Sequence, residues 1–474
     1  MAHALTINNL RFSYLSYQER SNEPLFCDLS LSIEEGERVL LLAPFDMGKT
    51  TLAKIIGGVC PKYFPGTMTG SITLFGTDLS TVEPWQLLTE VGYVSQNPAE
   101  QFIATTVEEE IAFPLESLGL SRAEMRERIA TVLEAWGLAH LGDANESELS
   151  GGERKRVLLA IQQALSPRLW LLDEPFDDLD PVWRVRLKET ILAGGKTTLV
   201  LASRYLADFA DLFDRVLLLD ERRIVALPLR ESLSRFSTLC GDDKPSPLLD
   251  QTIEDQRRTT LSAGALAVER KRRSTTSTPP FEMTVDSFAL ESGELVTLTG
   301  ANGSGKSSFS RLLCGLDEPK RGVIAIDGKR QSTKELNRSV GYLFQNPDLQ
   351  IFLPTVEEEL SWSLRRRREL SSSEIAERVG FAADLFALDL GDTPTTMSYP
   401  KRKALQAAVY YLLDRPFYIL DELDSALTYH SALSIMASLR QRGSGILLIT
   451  HDRLFAAKVE GRAYTIEAGR LIER

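Results

Sequence analysis

The sequence predicts an α/β fold in which one module is written twice, and three observations carry that prediction. First, LLAPFDMGKTT (41–51) and LTGANGSGKSS (298–308) each join an apolar run to a glycine-containing loop and then to a helix-like run. Second, LWLLDE (169–174) and FYILDE (417–422) are short apolar runs that end in an acidic pair. Third, Lys49 pairs with Lys306, Gln96 with Gln345, Ser150 with Ser398 and Asp173 with Asp421, all in the same order and all offset by about 250 residues, as a duplicated domain requires. Short uninterrupted apolar runs alternating with helical stretches fit parallel strands buried on both faces of a sheet.

In chain order, RVLLLAP (38–44) reads as a buried strand and TTLAKIIGG (50–58) as the helix after the first loop. LVTLTG (295–300) and SSFSRLLCG (307–315) repeat that pair in the second copy. Between the copies, GDDKPSPLLDQTIEDQRRTTLSAG (241–264) is polar, carries Pro and Gly, and shows no sustained period. The expected division is a first domain over 1–235, a linker over 236–265 and a second domain over 266–474. The basic run ERKRR (269–273) reads as solvated linker, and the arginines at 365–368 as a solvated helical face.

A chain of 474 residues can bury more than one core. Its 43% hydrophobic and 25% charged residues are those of a globular protein, and no apolar stretch approaches the roughly 18 residues of a membrane span. No secretory signal is expected. Cys27, Cys60, Cys240 and Cys314 are scattered without paired spacing, which suits a reducing cytosol and argues against a disulfide framework or cysteine metal site. A net charge of −12 and a pI near 5.1 weigh against nucleic acid as a partner.

The second loop satisfies G-x-x-x-x-G-K-[ST] from Gly300 to Ser307. Its glycines let backbone N–H groups face phosphate oxygens, the following helix adds its positive dipole end, Lys306 reaches the β and γ phosphates, and Ser307 can ligate Mg²⁺. Downstream, Asp421 can hold the Mg²⁺ shell and Glu422 can orient or deprotonate an attacking water. ATP and Mg²⁺ are therefore the expected ligands.

LSGGERKR (149–156), placed shortly before the acidic strand, resembles the signature of ATP-binding-cassette (ABC) ATPases. Gln96 and Gln345 match that family's Q-loop glutamine, and His451 in LLITHD matches its switch histidine. The resemblance covers nearly the whole chain. It implies two nucleotide-binding domains, each with a mainly parallel sheet core, an antiparallel β part and a helical signature subdomain. It also implies head-to-tail closure, each ATP gripped by one domain's phosphate loop and the other's signature.

On that resemblance, site one would use Gly48, Lys49, Thr50, Thr51, Gln96, Asp173 and Glu174, with Thr50 at the metal and Tyr14 stacking on adenine. Ala43 and Asp46 stand where the family has glycine, Ser203 replaces the switch histidine, and the completing signature MSYPKRKA (397–404) has Tyr399 and Pro400 for the two glycines. Thr428 ends the second D-loop, where the first has Asp180. Site two would keep Gly300, Asn302, Gly303, Ser304, Gly305, Lys306, Ser307, Ser308, Gln345, Asp421, Glu422 and His451, completed by Ser150, Gly151, Gly152 and Asp180. Its metal ligands would be Ser307, Gln345 and Asp421, and Arg272 could stand in for the missing aromatic on adenine. The expectation is one hydrolytic site and one degenerate site that holds ATP as a structural clamp or holds none, the survival of Lys49 and Thr50 favouring nucleotide binding there without hydrolysis.

The repeated Q-N-P-x-x-Q followed by an acidic helix start is similar to the ATPases of energy-coupling factor (ECF) transporters, importers of vitamins and transition metals. That likeness implies docking on a transmembrane T component and a substrate-binding S component through Glu100, Glu108, Glu109, Glu110, Asp348, Glu357, Glu358 and Glu359, at the cytoplasmic face of the membrane. A carboxylate opening a helix is also favoured by the helix dipole alone. The alternatives are the tandem ATPase of a sugar importer, a soluble ribosome-associated tandem ABC protein, and a non-hydrolysing scaffold.

Overall fold

A computed structural model describes residues 2–15, 24–44, 47–204, 207–241, 246–248, 259–270, 281–301, 303–367, 369–425 and 427–474. The chain divides into two units, Met1–Leu239 and Cys240–Arg474.

The first unit opens with β1 (His3–Tyr14), β2 (Phe26–Glu34) and β3 (Arg38–Leu42), then α1 (Lys49–Ile56), β4 (Gly66–Leu74) and β5 (Thr77–Asp78). α2 (Pro84–Glu90), β6 (Val91–Val94), α3 (Val107–Ser117), α4 (Arg122–Ala135), α5 (Gly151–Leu165) and β7 (Leu169–Asp173) follow. It closes with α6 (Pro181–Gly194), β8 (Thr197–Ala202), β9 (Arg215–Asp220), β10 (Arg223–Val225) and α7 (Leu229–Cys240). An antiparallel sheet in the order β2-β1-β4-β5 packs on a second sheet, β10-β9-β3-β8-β7-β6, which is parallel except at its β10 edge. β3, β7 and β8 hold their apolar residues on both faces, which is why their sequences lack alternation. Phe12, Phe26, Leu41, Ile55, Leu171 and Leu199 share one core.

The second unit repeats the plan. β11 (Thr260–Arg270), β12 (Phe281–Glu291), β13 (Leu295–Gly300), α8 (Lys306–Leu313), β14 (Arg321–Ile326), β15 (Lys329–Arg330), α9 (Thr333–Ser339) and β16 (Val340–Leu343) come first. α10 (Val356–Arg365), α11 (Ser372–Leu385), α12 (Tyr399–Leu413), β17 (Phe417–Asp421), α13 (Tyr429–Gln441), β18 (Gly445–Ile449), α14 (Arg453–Lys458), β19 (Arg462–Glu467) and β20 (Arg470–Glu473) complete it. Here one bridge, Thr284 to Arg470, joins the antiparallel and parallel parts into a single ten-stranded sheet.

The expected linker is trimmed at both ends. α7 runs to Cys240, and β11 begins at Thr260, pairing antiparallel with β12 from Thr260–Glu291 to Arg270–Phe281. Leu261 and Ala263 are buried while their neighbours are not, so a strand period exists. Ala, Ser and Gly carry too little hydrophobic contrast to reveal it in sequence. Glu269 and Arg270 of the basic run end that strand, and 271–273 lie outside the described residues. Of the arginines at 365–368, Arg365 and Arg366 are exposed, Arg366 lying over the exposed Trp362 ring at 4.6 Å, whereas Arg367 departs from a solvated face by donating to the Leu413 carbonyl at 2.9 Å, at the end of α12. Arg368 lies outside the described residues.

Candidate functional site

In each unit the strand before the glycine loop lies beside the strand whose end carries the switch position, and that strand lies beside the one ending in the acidic pair. The loops therefore meet at the carboxyl edge of the sheet, where open α/β folds place ligands. Register also aligns the two units. Asp173 pairs with Leu201 and Asp421 with Ile449, so Ser203 and His451 fall at equivalent places just beyond β8 and β18.

In the second unit Gly300, Gly303 and Gly305 all have positive φ, at 149°, 75° and 112°. A Cβ on Gly300 would lie 2.8 Å from Ser304 Oγ and 2.9 Å from the Ile466 carbonyl, so only glycine fits. Lys306 is buried and donates to the carbonyls of Gly300 and Ala301 at 2.7 and 3.1 Å. Ser304 Oγ is buried with no hydrogen-bond partner, a donor that phosphate oxygen would satisfy. Ser307 and Ser308 open α8, with the Ser307 side chain exposed, while Asn302 lies outside the described residues.

Glu422 has φ 49°, a left-handed conformation that costs a non-glycine residue energy and is held by the bond from its N–H to the Ile449 carbonyl at 2.9 Å. Its carboxylate accepts from Gln345 Nε2 at 2.7 Å and lies 3.3 Å from His451 Nδ1. Burial alone would push the Glu422 carboxyl up, but His451, Lys306 and Lys403 together hold it below the ordinary range. Asp421 goes the other way, to about 6, through burial and then the neighbouring Glu422 charge. Asp421 Oδ2 accepts from the Tyr342 hydroxyl at 2.5 Å, a contact the sequence motifs do not announce.

The first unit is built alike with different fittings. Gly48 caps α1 with φ 89°, and Lys49 donates to the carbonyls of Ala43 and Pro44 at 2.9 and 3.1 Å. Ala43 lies outside the left-handed region that Gly300 occupies, so the two loops leave their strands along different paths; Asp46 is outside the described residues. Thr50 Oγ1 donates to Asp173 Oδ2 at 2.6 Å, and Asp173 Oδ1 is buried without a partner. Glu174, φ 47°, accepts from the Ser203 N–H at 2.7 Å and lies 3.7 Å from Lys49 Nζ. Burial is the main cause that lifts its carboxyl to about 7, Lys49 opposing it. The Gln96 side chain makes no hydrogen bond to Glu174. Tyr14, at the expected adenine position, donates to or accepts from Thr51 Oγ1 at 2.9 Å with its ring partly exposed. Arg272, its expected counterpart, lies outside the described residues.

In the first unit the Thr50 hydroxyl beside the buried Asp173 carboxylate suits a hard divalent cation such as Mg²⁺, whereas in the second the hydroxyl on Asp421 is that of Tyr342. Among the described residues no group of three or more His, Cys, Asp or Glu side chains could hold a metal alone. A cation there would need phosphate oxygens, as nucleotide-bound Mg²⁺ does.

Ser150 caps α5 by exchanging bonds with Glu153, and Gly151 and Gly152 form the first turn. Lys155, fully buried within the signature, donates to the carbonyls of Ser95, Gln96 and Glu174 at 3.0, 3.2 and 3.3 Å. In the second unit Ser398 Oγ is buried and unpartnered, Tyr399 and Pro400 open α12, and Lys403 donates to the Glu422 carbonyl at 2.7 Å. Asp180 caps α6 by accepting from Val182 and Trp183 N–H at 3.0 and 3.1 Å, and Thr428 caps α13 likewise.

Two of the expected docking carboxylates turn inward. Glu110 accepts from the N–H groups of Ile103 and Ala104, and Glu359 from those of Phe352 and Leu353; both are 4% exposed. Burial with two backbone donors fixes the loop ahead of the helix and removes these carboxylates from the surface. Glu108, Glu109, Glu357 and Glu358 remain exposed, Asp348 pairs with Arg402 at 2.9 Å, and Glu100 lies 3.9 Å from Lys54. The second glutamine of Q-N-P-x-x-Q is structural too. Gln101 bridges Ser95 N–H and the Tyr93 carbonyl, and Gln350 bridges Phe344 N–H and the Tyr342 carbonyl.

Fold and sites define a duplicated phosphate-loop ATPase. The chain belongs to the ABC transporter family, whose model matches residues 26–177 and 284–425, and it is an ATP-binding, ATP-hydrolysing component of that class. It is 30% identical to YkoD of Bacillus subtilis (strain 168), provisionally named an HMP/thiamine import ATP-binding protein, over 94% of this chain and 87% of that protein. It is also 30% identical to a provisionally named ABC transporter ATP-binding protein of Treponema denticola, over 94% and 92%. Two solved structures share the fold at 20% identity. One is an RNase-L inhibitor, with a TM-score of 0.58 over 94% of this chain and 87% of that one; the other is the chain matched in a model of ribosome-bound archaeal Pelota and ABCE1, with 0.65 over 95% and 76%. No helix among the described residues is long and apolar enough to cross a membrane.

Proposed function

We propose that this chain is the energy-coupling ATPase of an ECF-type importer for a vitamin or metal micronutrient, and that it hydrolyses ATP with the second module's phosphate loop. The observation that carries the hydrolytic assignment is the convergence of Gln345 and His451 on Glu422, where among the described residues the Glu174 carboxylate meets a backbone N–H and Lys49. An ionised carboxylate held by two side chains is ready to orient a water and take its proton. The water oxygen bonds to the γ-phosphorus as the bond to the β,γ-bridging oxygen breaks, releasing ADP and phosphate. Lys306 and the loop N–H groups bind the phosphates; Ser307, Gln345 and Asp421 would hold Mg²⁺, which when bound neutralises charge on the leaving phosphates. Completion of this site by Ser150, Gly151, Gly152 and Asp180 is carried by the sequence resemblance. Site one, with Lys49, Thr50 and Asp173 intact, keeps nucleotide as a clamp.

The importer reading is supported by the relative named for HMP/thiamine import and by a surface each module repeats. Ile103 and Phe113 in the first, and Phe352 and Trp362 in the second, are exposed apolar side chains at matching places. Glu108 and Glu109, or Glu357 and Glu358, lie exposed between them in sequence. Apolar anchors with an acidic rim suit basic, amphipathic segments of a transmembrane partner, which would hold the chain at the cytoplasmic face of the membrane.

Steady-state ATP hydrolysis by the complex with its membrane partners tests the assignment. Glu422→Gln is expected to abolish turnover while Glu174→Gln keeps most of it. Equal losses, or a greater loss in Glu174→Gln, would overturn it.

A further inference from the structure

We infer that Tyr399, which stands where the first module has Gly151, is a positioning residue for hydrolysis: its hydroxyl holds the Gln345 backbone so that the Gln345 amide stays on Glu422. The inference rests on Glu422 being the residue that activates water. Tyr399 Oη donates to the Gln345 carbonyl at 2.9 Å, and Gln345 Nε2 donates to Glu422 Oε2 at 2.7 Å. A continuous path of two hydrogen bonds thus runs from the first turn of α12 to the carboxylate, within one module. The tyrosine ring is itself braced. The Arg402 guanidinium is 5.6 Å from its centroid and ion-pairs with Asp348 in the same loop, and the Lys403 ammonium is 5.7 Å away and bonded to the Glu422 carbonyl.

The first module shows what glycine does at this place. Gly151 has no side chain to reach the loop, the Gln96 carbonyl is held by Lys155 at 3.2 Å, and the Gln96 side chain does not bond Glu174. Replacing glycine by tyrosine therefore does more than spoil a signature. It supplies a hydroxyl that fixes the backbone of the very residue whose amide must stay on the carboxylate, and pre-ordering that amide spares the entropy of ordering it in each turnover.

The test is ATP hydrolysis by the full chain with its membrane partners for Tyr399→Phe, Gln345→Ala and the double variant. Losing one positioning hydrogen bond is worth about 1 kcal/mol, so Tyr399→Phe is expected to lower kcat roughly five-fold with KM for ATP unchanged. Adding Tyr399→Phe to Gln345→Ala should cost nothing further, since the hydroxyl acts through that glutamine. A Tyr399→Phe variant with wild-type kcat overturns the inference, as does a lower kcat accompanied by a raised KM for ATP, or losses that simply multiply in the double variant. Glu422→Gln separates the two levels: turnover retained in it overturns the reading of the site itself, whereas its inactivity beside a wild-type Tyr399→Phe overturns only the role of Tyr399.

Discussion

Glu174 and Glu422 end matching strands with the same left-handed backbone, yet their surroundings drive them apart. Glu422 is held below the usual carboxylate range once His451, Lys306 and Lys403 outweigh burial, and Glu174 is lifted to about 7, chiefly by burial. A carboxyl raised on folding favours the folded state while protonated. That advantage is full below its ordinary value of 4.5 and is lost as pH rises through about 7. Glu174→Gln should therefore melt with the wild type near pH 4.5 and above it at pH 8, by on the order of 1–3 kcal/mol for the first module; equal melting at pH 8 would refute the shift. Gly300→Ala is the matching prediction for the loop. The added Cβ meets Ser304 Oγ and the Ile466 carbonyl in a conformation alanine avoids, so the loop must shift and nucleotide binding, measured by calorimetry, should weaken at least ten-fold, about 1.4 kcal/mol. Both carboxylates and Gly300 were legible in sequence because strand, loop and acidic pair recur at fixed order. Tyr342 on Asp421 and Tyr399 on Gln345 were not, since a tyrosine in an apolar strand or a helix start carries no sign of where its hydroxyl goes.

At the scale of elements, the signature helix and the Q-loop are tied by groups that a sequence reading assigns to the surface. Lys155 lies in a run of charged residues that looks solvated, but it is wholly buried because three carbonyls from the Q-loop and the acidic strand converge on its ammonium. Burial lowers its pKa, opposed by Asp178 and Asp177. Lys155→Met keeps the volume and removes the donor, leaving those carbonyls unsatisfied. It should destabilise the first module by about 2–4 kcal/mol, read as a lower urea midpoint with unchanged slope. An unchanged midpoint would mean the carbonyls find other donors. The Q-N-P-x-x-Q pattern divides on the same logic. Its second glutamine closes the loop onto the preceding strand in both modules. The acidic helix start divides too, one carboxylate in each module turning inward to take backbone N–H groups. Spacing alone cannot separate a carboxylate that faces a partner from one that ends a loop, because both are favoured at a helix N-terminus.

For the whole molecule, duplication was legible from offsets, and the linker edges were not, because the small residues of β11 hide its alternation. What the copies share points outward. Ile103 and Phe352, at 67% and 69% exposure, are too open to be core, and each precedes a helix that begins with exposed glutamates. With a net charge of −12 the chain presents these patches in a field that attracts basic partners. Glu108→Lys with Glu357→Lys changes four units of charge at the two rims without touching the buried Glu110 and Glu359. Association with the detergent-solubilised membrane partner should slow about ten-fold at low salt, with the difference closing as ionic strength rises and the Debye length shrinks. Phe352→Ser should instead speed dissociation at every salt concentration, because it removes apolar area rather than charge. If the charge reversals leave the association rate unchanged at low salt, the acidic rims do not face the partner, and the exposed apolar pairs alone must carry the docking.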